Sequence, residues 1–471
     1  MKSDFSLSRR SFLRTAAVTA GAVGLAACAP KAEPTKAPVA EATKAPTAAP
    51  APVERVELEV WTGWTEQAAK NIEMILGGYN DSQESVTAKH VVIPDNMTQR
   101  LLAGISAGNP PGTAVVFGAN IAYQLASQGG LLALDEVGEA EQISTLKDWM
   151  DPAIWDLGTY EGKFYYASMW NQCYGVFLNT KIAAEKGVDP DKPPQNWDEL
   201  DQAWEKLTTY NADGDIDVLG GDTTWNALIM GRFLGQFIED GQTITANHPN
   251  NVEALEWLTN RWARITPQKM QDFYASLQGA GGRSAGLDPF LAGLKATELT
   301  GPWKFNTIVN FAPEDFEYTV WPVPKPASKD KVGMYTYGDG WIMPVGCPNP
   351  TAAWEIIGSM TGAMGDKDVY TSLFTTWQCV NGPVSKKILE HPAFQEKVVG
   401  MCPGYKEIFL VDLYDSDYYL FPPKIPTSSS YTGLMGAEWE KARLGEKTPK
   451  EALDFVQEQA QAELDDWYAN Q

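Results

Sequence analysis

The residues of this chain with the plainest chemical purpose are tryptophans standing where a core residue is not expected. Trp64 follows Thr62-Gly63, Trp170 precedes Asn171-Gln172, Trp225 precedes Asn226, and Trp303 follows Gly301-Pro302. Trp341 follows Gly338-Asp339-Gly340, and Trp377 precedes Gln378. A flat indole covers the apolar C–H face of a pyranose, while amides and carboxylates at the rim satisfy its hydroxyls. Tryptophans placed beside glycine and amide residues therefore point to a carbohydrate ligand. Trp155, Trp204, Trp257, Trp354 and Trp467 fall instead on helical stripes and are expected in the core.

Polar candidates accompany these rings. Asp339 is the carboxylate expected to meet sugar hydroxyls, the alternative being a Gly-Asp-Gly turn. Asn171 joins the set through its neighbour Trp170. Asn120 joins it because it follows an expected strand at 114–117, and open α/β sheets bind ligands at the carboxyl ends of their strands. Asn211, Asp213, Asp215 and Asp217, with Asp222 further on, present oxygens at alternate positions, as calcium requires. Gly214 is two places early for an EF-hand, however, and Ile216 holds the glycine position. A solvated Asx turn is the preferred reading there, with calcium the weaker candidate.

Signals for catalysis are poor. Gly104-Ile105-Ser106-Ala107-Gly108 and Gly282-Arg283-Ser284-Ala285-Gly286 both match Gly-x-Ser-x-Gly, which marks a nucleophile only at a strand-to-helix elbow. The first follows a helical pattern and the second lies in a glycine-rich loop. His248 and His391 precede prolines and read as turns, and His90 falls in a strand pattern. No catalytic residue and no cofactor is assigned, and an enzyme is not expected. A glycoside hydrolase needs only two carboxylates, so it stays open as an alternative, beside a binding protein for a non-sugar solute.

The elements that must position these groups follow from periodicity. Val56 to Trp61 alternates as a strand, Glu66 to Tyr79 has helical spacing, and Val86 to Ile93 reads as a second strand. A helix at 97–105, a buried strand at 114–117 and a helix at 121–128 continue a βαβα rhythm, which implies an α/β domain with a mostly parallel sheet. Helices dominate later, at 197–207, 225–237, 251–265, 352–361 and 448–468.

The amino terminus reads as an address. Ser8-Arg9-Arg10-Ser11-Phe12-Leu13-Arg14 looks like a twin-arginine export signal, and Leu25-Ala26-Ala27-Cys28 resembles a lipobox, so lipidation of Cys28 is expected. Residues 29–53 are rich in Ala, Pro, Lys and Thr and cannot bury enough apolar surface to fold. At about 3.1 Å per residue, this tether spans at most roughly 75 Å. Removing residues 1–27 takes away Lys2, Arg9, Arg10, Arg14 and Asp4 and lowers the formal charge of −23 by a further three. Such an acidic body is repelled by nucleic acid and by anionic lipid, and both are excluded as partners of the folded part. No later segment has eighteen consecutive apolar residues, so none is expected to span a membrane.

Several segments carry a family likeness in a fixed order. Ala107-Gly108-Asn109-Pro110-Pro111 is followed by Leu125-Ala126-Ser127-Gln128-Gly129-Gly130-Leu131-Leu132-Ala133-Leu134-Asp135, then by Gly162-Lys163-Phe164-Tyr165-Tyr166 and Tyr174-Gly175-Val176-Phe177-Leu178-Asn179-Thr180-Lys181. Pro193 to Leu200, Thr300-Gly301-Pro302-Trp303, Gly340-Trp341 and Asn349 to Glu355 complete the series. The chain resembles the family 1 extracellular solute-binding proteins of ABC importers, the maltose-binding-protein-like sugar receptors, over nearly all of its mature length. Gly112-Thr113 departs from the pattern, where the family usually carries an aspartate.

The resemblance implies a two-lobed, type II periplasmic-binding-protein-like α/β fold with discontinuous lobes joined by crossing strands. The lobes are expected at 54–168 plus 321–373 and at 169–320 plus 374–471, with crossings near 167–170, 320–324 and 371–376. It also implies a sugar ligand in the cleft, ABC permease subunits as partners and a monomer held at the cell membrane, either periplasmic or on the outer cell surface. Trp303 and Trp341 gain weight as ligand contacts, and Tyr431, after Pro426-Thr427-Ser428-Ser429-Ser430, becomes an aromatic candidate. Of the remaining cysteines, Cys173, Cys347, Cys379 and Cys402, the pair Cys379–Cys402 closes the shortest loop and is preferred as a disulfide, with four free thiols the alternative.

Overall fold

The alternating run at 56–61 forms the strand Val56–Thr62, with Leu58 and Val60 buried and Glu57 and Glu59 in solvent. The computed structural model describes residues 55–223, 225–278, 282–283, 286–364, 381–400 and 402–470. Val56–Thr62 pairs in parallel with Val86–Val92 on one side and Thr113–Phe117 on the other. The helix Glu66–Ser82 makes the crossover between the first two, as parallel neighbours require. Asp339–Ile342 and Ala167–Ser168 add antiparallel strands and complete a five-stranded sheet.

A second, three-stranded sheet has Gly175–Asn179 at its centre, flanked antiparallel by Thr297–Thr300 and Tyr318–Pro322. Helices Trp197–Leu207, Pro249–Ile265, Ser428–Arg443 and Pro449–Ala469 pack their apolar faces into the core beside it. Asn196 starts the first of these as a cap, its Oδ1 accepting from Glu199 N at 2.9 Å. The helix expected at 225–237 is shorter, Asn226–Arg232, and Leu234 beyond it is left-handed at φ 57°. Buried Asn251 explains the early stop. Its side chain accepts from Gln236 N at 3.0 Å and donates to Gln236 O at 2.6 Å, giving that backbone partners outside a helix.

The chain leaves the first sheet after Ser168 and enters the second at Gly175. The return lies later than the expected crossing near 320–324. Pro322 is still paired with Gly175, and Gly333–Tyr335 pairs in parallel with Tyr418–Leu420. The first sheet resumes only at Asp339. Trp321 accounts for the delay, since its ring is buried with the second sheet's core and its Nε1 donates to Pro190 O at 2.7 Å. The third expected crossing, at 371–376, lies outside the described residues.

Cys173 and Cys347 are buried free thiols, whereas Cys402 is disulfide-bonded. Cys379, its preferred partner on sequence grounds, lies outside the described residues, as does Cys28. Among the described residues no helix is long and apolar enough to cross a membrane.

Candidate ligand-binding site

A cavity of about 530 Å³ collects side chains from both sheets' surroundings. Trp64, Gln67 and Phe117 come from the first. Trp225 and the helix Trp303–Phe311 come from the second, and Trp170, Gln172, Tyr337, Asp339 and Asn381 come from or beside the connecting segments. Two aromatic walls result. Trp64 lies tilted against Phe117 at 5.8 Å and against Trp170 at 5.5 Å. Trp225 and Trp303 stack at 5.5 Å and 12°, and Tyr174 supports both edge-on, at 5.1 and 6.4 Å.

Two glycines set these positions. A Cβ on Gly301 would lie 1.8 Å from the Trp303 ring, so only glycine lets that indole fold back over the backbone that leads into its helix. A Cβ on Gly338 would lie 2.0 Å from Trp170 O, so glycine also permits the close passage of the two connecting segments. The Gly-Asp-Gly sequence is thus the entry to a central strand, not a turn. The passage brings Trp170 Nε1 to 3.1 Å from Asp339 Oδ2, where it donates a hydrogen bond. Burial pushes the Asp339 carboxyl up to about 7, against the opposing pull of that indole N–H. Among the described residues that line the cavity there is no Lys, Arg or His.

Of the expected contacts, Trp64, Trp170, Trp225, Trp303 and Asp339 meet at this cavity. Asn171 and Asn120 are not among its lining residues and hydrogen-bond within the protein. Asn171 Oδ1 accepts from Tyr337 N at 3.3 Å, tying the connecting segments together. Asn120 Nδ2 donates to Thr432 Oγ1 at 3.2 Å, between helices Ala119–Ser127 and Ser428–Arg443. Trp341 and Tyr431 do not line the cavity. Trp341 is fully buried in the core of the first sheet, and Tyr431 is fully buried with its OH donating to Phe237 O at 2.9 Å. Trp377 lies outside the described residues. Of the stripe tryptophans, Trp204 and Trp354 are buried, while Trp155, Trp257 and Trp467 are half-buried.

The acidic loop closes on itself. Asn211 Oδ1 accepts from the backbone N of Asp213 at 3.0 Å and of Asp215 at 2.9 Å, as an Asx turn does. Asp217 pairs with Arg283 at 3.1 Å, and Asp222 is buried, accepting from Trp262 Nε1 at 3.2 Å and Tyr274 OH at 3.1 Å. With separate partners, these oxygens do not converge on a cation. Among the described residues no cluster of three His, Cys, Asp or Glu could hold one. His248 and His391 cap helices, each Nδ1 accepting a backbone N–H at 3.2 Å. Ser106 ends the helix Met97–Ser106, which is not a nucleophile elbow.

Sequence reasoning missed Phe117, Gln67, Gln172, Tyr337, Asn306, Asn310 and Asn381. Asn306 and Asn310 were within reach of it, because they share a face with Trp303 at helical spacing. Asn381 was not, since no local pattern marks it.

Residues 79–399 match the family of bacterial extracellular solute-binding proteins. A sn-glycerol-3-phosphate-binding periplasmic protein of Brucella abortus is 25% identical over 178 residues, a stretch covering 36% of this chain and 39% of that protein's length. The chain therefore matches well under half the length of this curated relative. Among solved structures, CpMnBP1 with mannotriose bound superposes at a TM-score of 0.71 with 21% identity, covering 87% of this chain and 100% of that one. The maltose/maltodextrin-binding domain of Bdellovibrio bacteriovorus, bound to maltotriose, gives 0.66 with 14% identity over 87% and 99%. A solute-binding protein of Agrobacterium vitis with bound D-mannitol gives 0.64 with 16% identity over 87% and 98%. These likenesses establish a type II periplasmic-binding-protein fold, and the sequence match adds the family: this chain belongs to the bacterial extracellular solute-binding proteins.

Proposed function

We propose that this protein captures a neutral carbohydrate, an oligosaccharide, between its lobes and delivers it unchanged to the transmembrane subunits of an ABC importer. The observation that carries the reading is the cavity's chemistry. The stacked pair Trp225 and Trp303 and the half-buried Trp64, which Trp170 backs from the core, suit pyranose faces, and Asp339 in the same lining suits hydroxyl donors. A phosphate ester would find no cation among the described lining residues and would face a carboxyl group. The curated relative named for sn-glycerol 3-phosphate is therefore a poorer guide to the ligand than the proteins holding mannotriose and maltotriose.

Titration calorimetry of the purified protein is expected to give micromolar binding, about −8 kcal/mol, for mannotriose or maltotriose and no heat for sn-glycerol 3-phosphate. Tight binding of the phosphate ester alone would overturn the neutral-sugar reading. Release of monosaccharide with time would replace the receptor by a glycosidase.

The proposed setting is a monomer exported by the twin-arginine route and anchored through lipid on Cys28, with residues 29–53 as its tether. Cys28→Ala is expected to leave export intact and to move the protein from the membrane pellet to the soluble fraction. Lysines in place of both Arg9 and Arg10 should block export. A Cys28→Ala protein that still sediments with membranes would refute the lipid anchor.

A further inference from the structure

Asn381 borders the cavity, is 4% exposed, and its side-chain Oδ1 has no hydrogen-bond partner among the described residues. Other buried polar atoms share that condition, including Trp341 Nε1 and Trp204 Nε1, but none of the others belongs to a residue lining the cavity. The backbone around Asn381 is firmly held. Its carbonyl accepts from Tyr405 OH at 2.6 Å, and Gly382 exchanges two backbone hydrogen bonds with Asn171, each 2.8 Å. The amide is thus presented by a fixed support.

A buried amide oxygen without a partner loses its hydration and gains nothing in return, which is why folded proteins keep few such atoms. One that borders a cavity also lined by the buried carboxyl of Asp339 has an available partner in a ligand held there. We propose that Asn381 is a specificity-determining residue whose side-chain Oδ1 accepts a hydrogen bond from a hydroxyl of the bound sugar, forming with Asp339 a buried polar part of a lining rich in aromatic rings. The proposal rests on the sugar-receptor reading and assigns a polar contact within it. Sites built to hydrogen-bond a hydroxyl discriminate strongly, because an analogue lacking it leaves the buried group unpaired. Asn381 then selects among sugars by the position of a hydroxyl, while the indoles accept many pyranoses alike.

The test compares wild type, Asn381→Leu and Asn381→Ala in two measurements, melting without ligand and calorimetry with mannotriose and maltotriose. Asn381→Leu removes the orphan oxygen at similar size. It is expected to melt at or a few degrees above wild type. Both variants are expected to bind whichever trisaccharide the wild type prefers at least about ten-fold more weakly. Lower melting temperatures in both variants, with affinity unchanged, would make Asn381 a structural residue and overturn the proposal. If the wild type binds neither trisaccharide, the sugar reading falls by itself. The melting comparison still decides the amide, because a rise in Asn381→Leu keeps it as a group reserved for a ligand and a fall removes that too.

Discussion

Trp303→Ala is expected to weaken trisaccharide binding by about 2–4 kcal/mol, the range for buried aromatic anchors, with a smaller loss of stability. The ring is half-buried, stacked on Trp225 and braced by Tyr174, so its removal takes one face of the wall and leaves the sheet behind it intact. Trp341→Ala is expected to do the opposite. That ring is fully buried on a central strand, where Trp341 lies opposite Val115 on one side and Ala167 on the other. Its removal leaves a large void and should cost about 3–5 kcal/mol of stability. Calorimetry and denaturant melts on the two variants separate the roles. Loss of affinity without loss of stability in Trp341→Ala would return that residue to the ligand, and an unchanged affinity in Trp303→Ala would remove the second aromatic wall from the site.

Asp339→Asn is expected to change the pH dependence of stability. The native carboxyl titrates near 7, the unfolded one near about 3.9. Between these values the native state holds a proton that the unfolded state has already lost. Native stability from this group is therefore complete below about pH 4 and is lost as pH rises through 7, at up to about 1.4 kcal/mol per unit. An asparagine does not titrate. The stability of wild type relative to Asp339→Asn should accordingly fall between pH 4 and 8, by up to about 4 kcal/mol. Sugar hydroxyls donate better to the ionised carboxylate, so wild-type affinity should also strengthen as pH rises through 7, and the variant's should not. Denaturant melts and calorimetry at pH 5, 6.5 and 8 give both slopes. A constant stability difference across that range would mean that Asp339 is ionised throughout.

The local elements were legible because their causes are local. The run at 56–61 alternates, and a capping asparagine stands before Trp197. A proline opens the helix Pro350–Thr361 behind the cap Asn349, whose Oδ1 accepts from Ala352 N at 3.1 Å. Failures came where a distant group decided. Asn251 ended the helix after Arg232, and the pairing of Pro322 with Gly175 delayed the return of the chain to its first sheet.

The site divides along the same line. Residue types and spacing alone determined that this chain carries indoles beside glycines and amides, a carboxyl between glycines, an acidic body and an amino terminus that reads as an export address. They could not separate Trp303 from Trp341, since each closely follows glycine in the sequence and the two differ in what lies above the ring. Asp339 and Trp341 sit two residues apart on one strand and so share a face of the sheet. Asp339, at the end of that strand, reaches the cavity, whereas Trp341 is covered by the core. Asn381 is more than two hundred residues from Trp170, yet both border one cavity, because a backbone bridge joins Asn171 to Gly382. Which side chains face a ligand depends on contacts between segments remote in sequence, and only the packed structure brings those segments together.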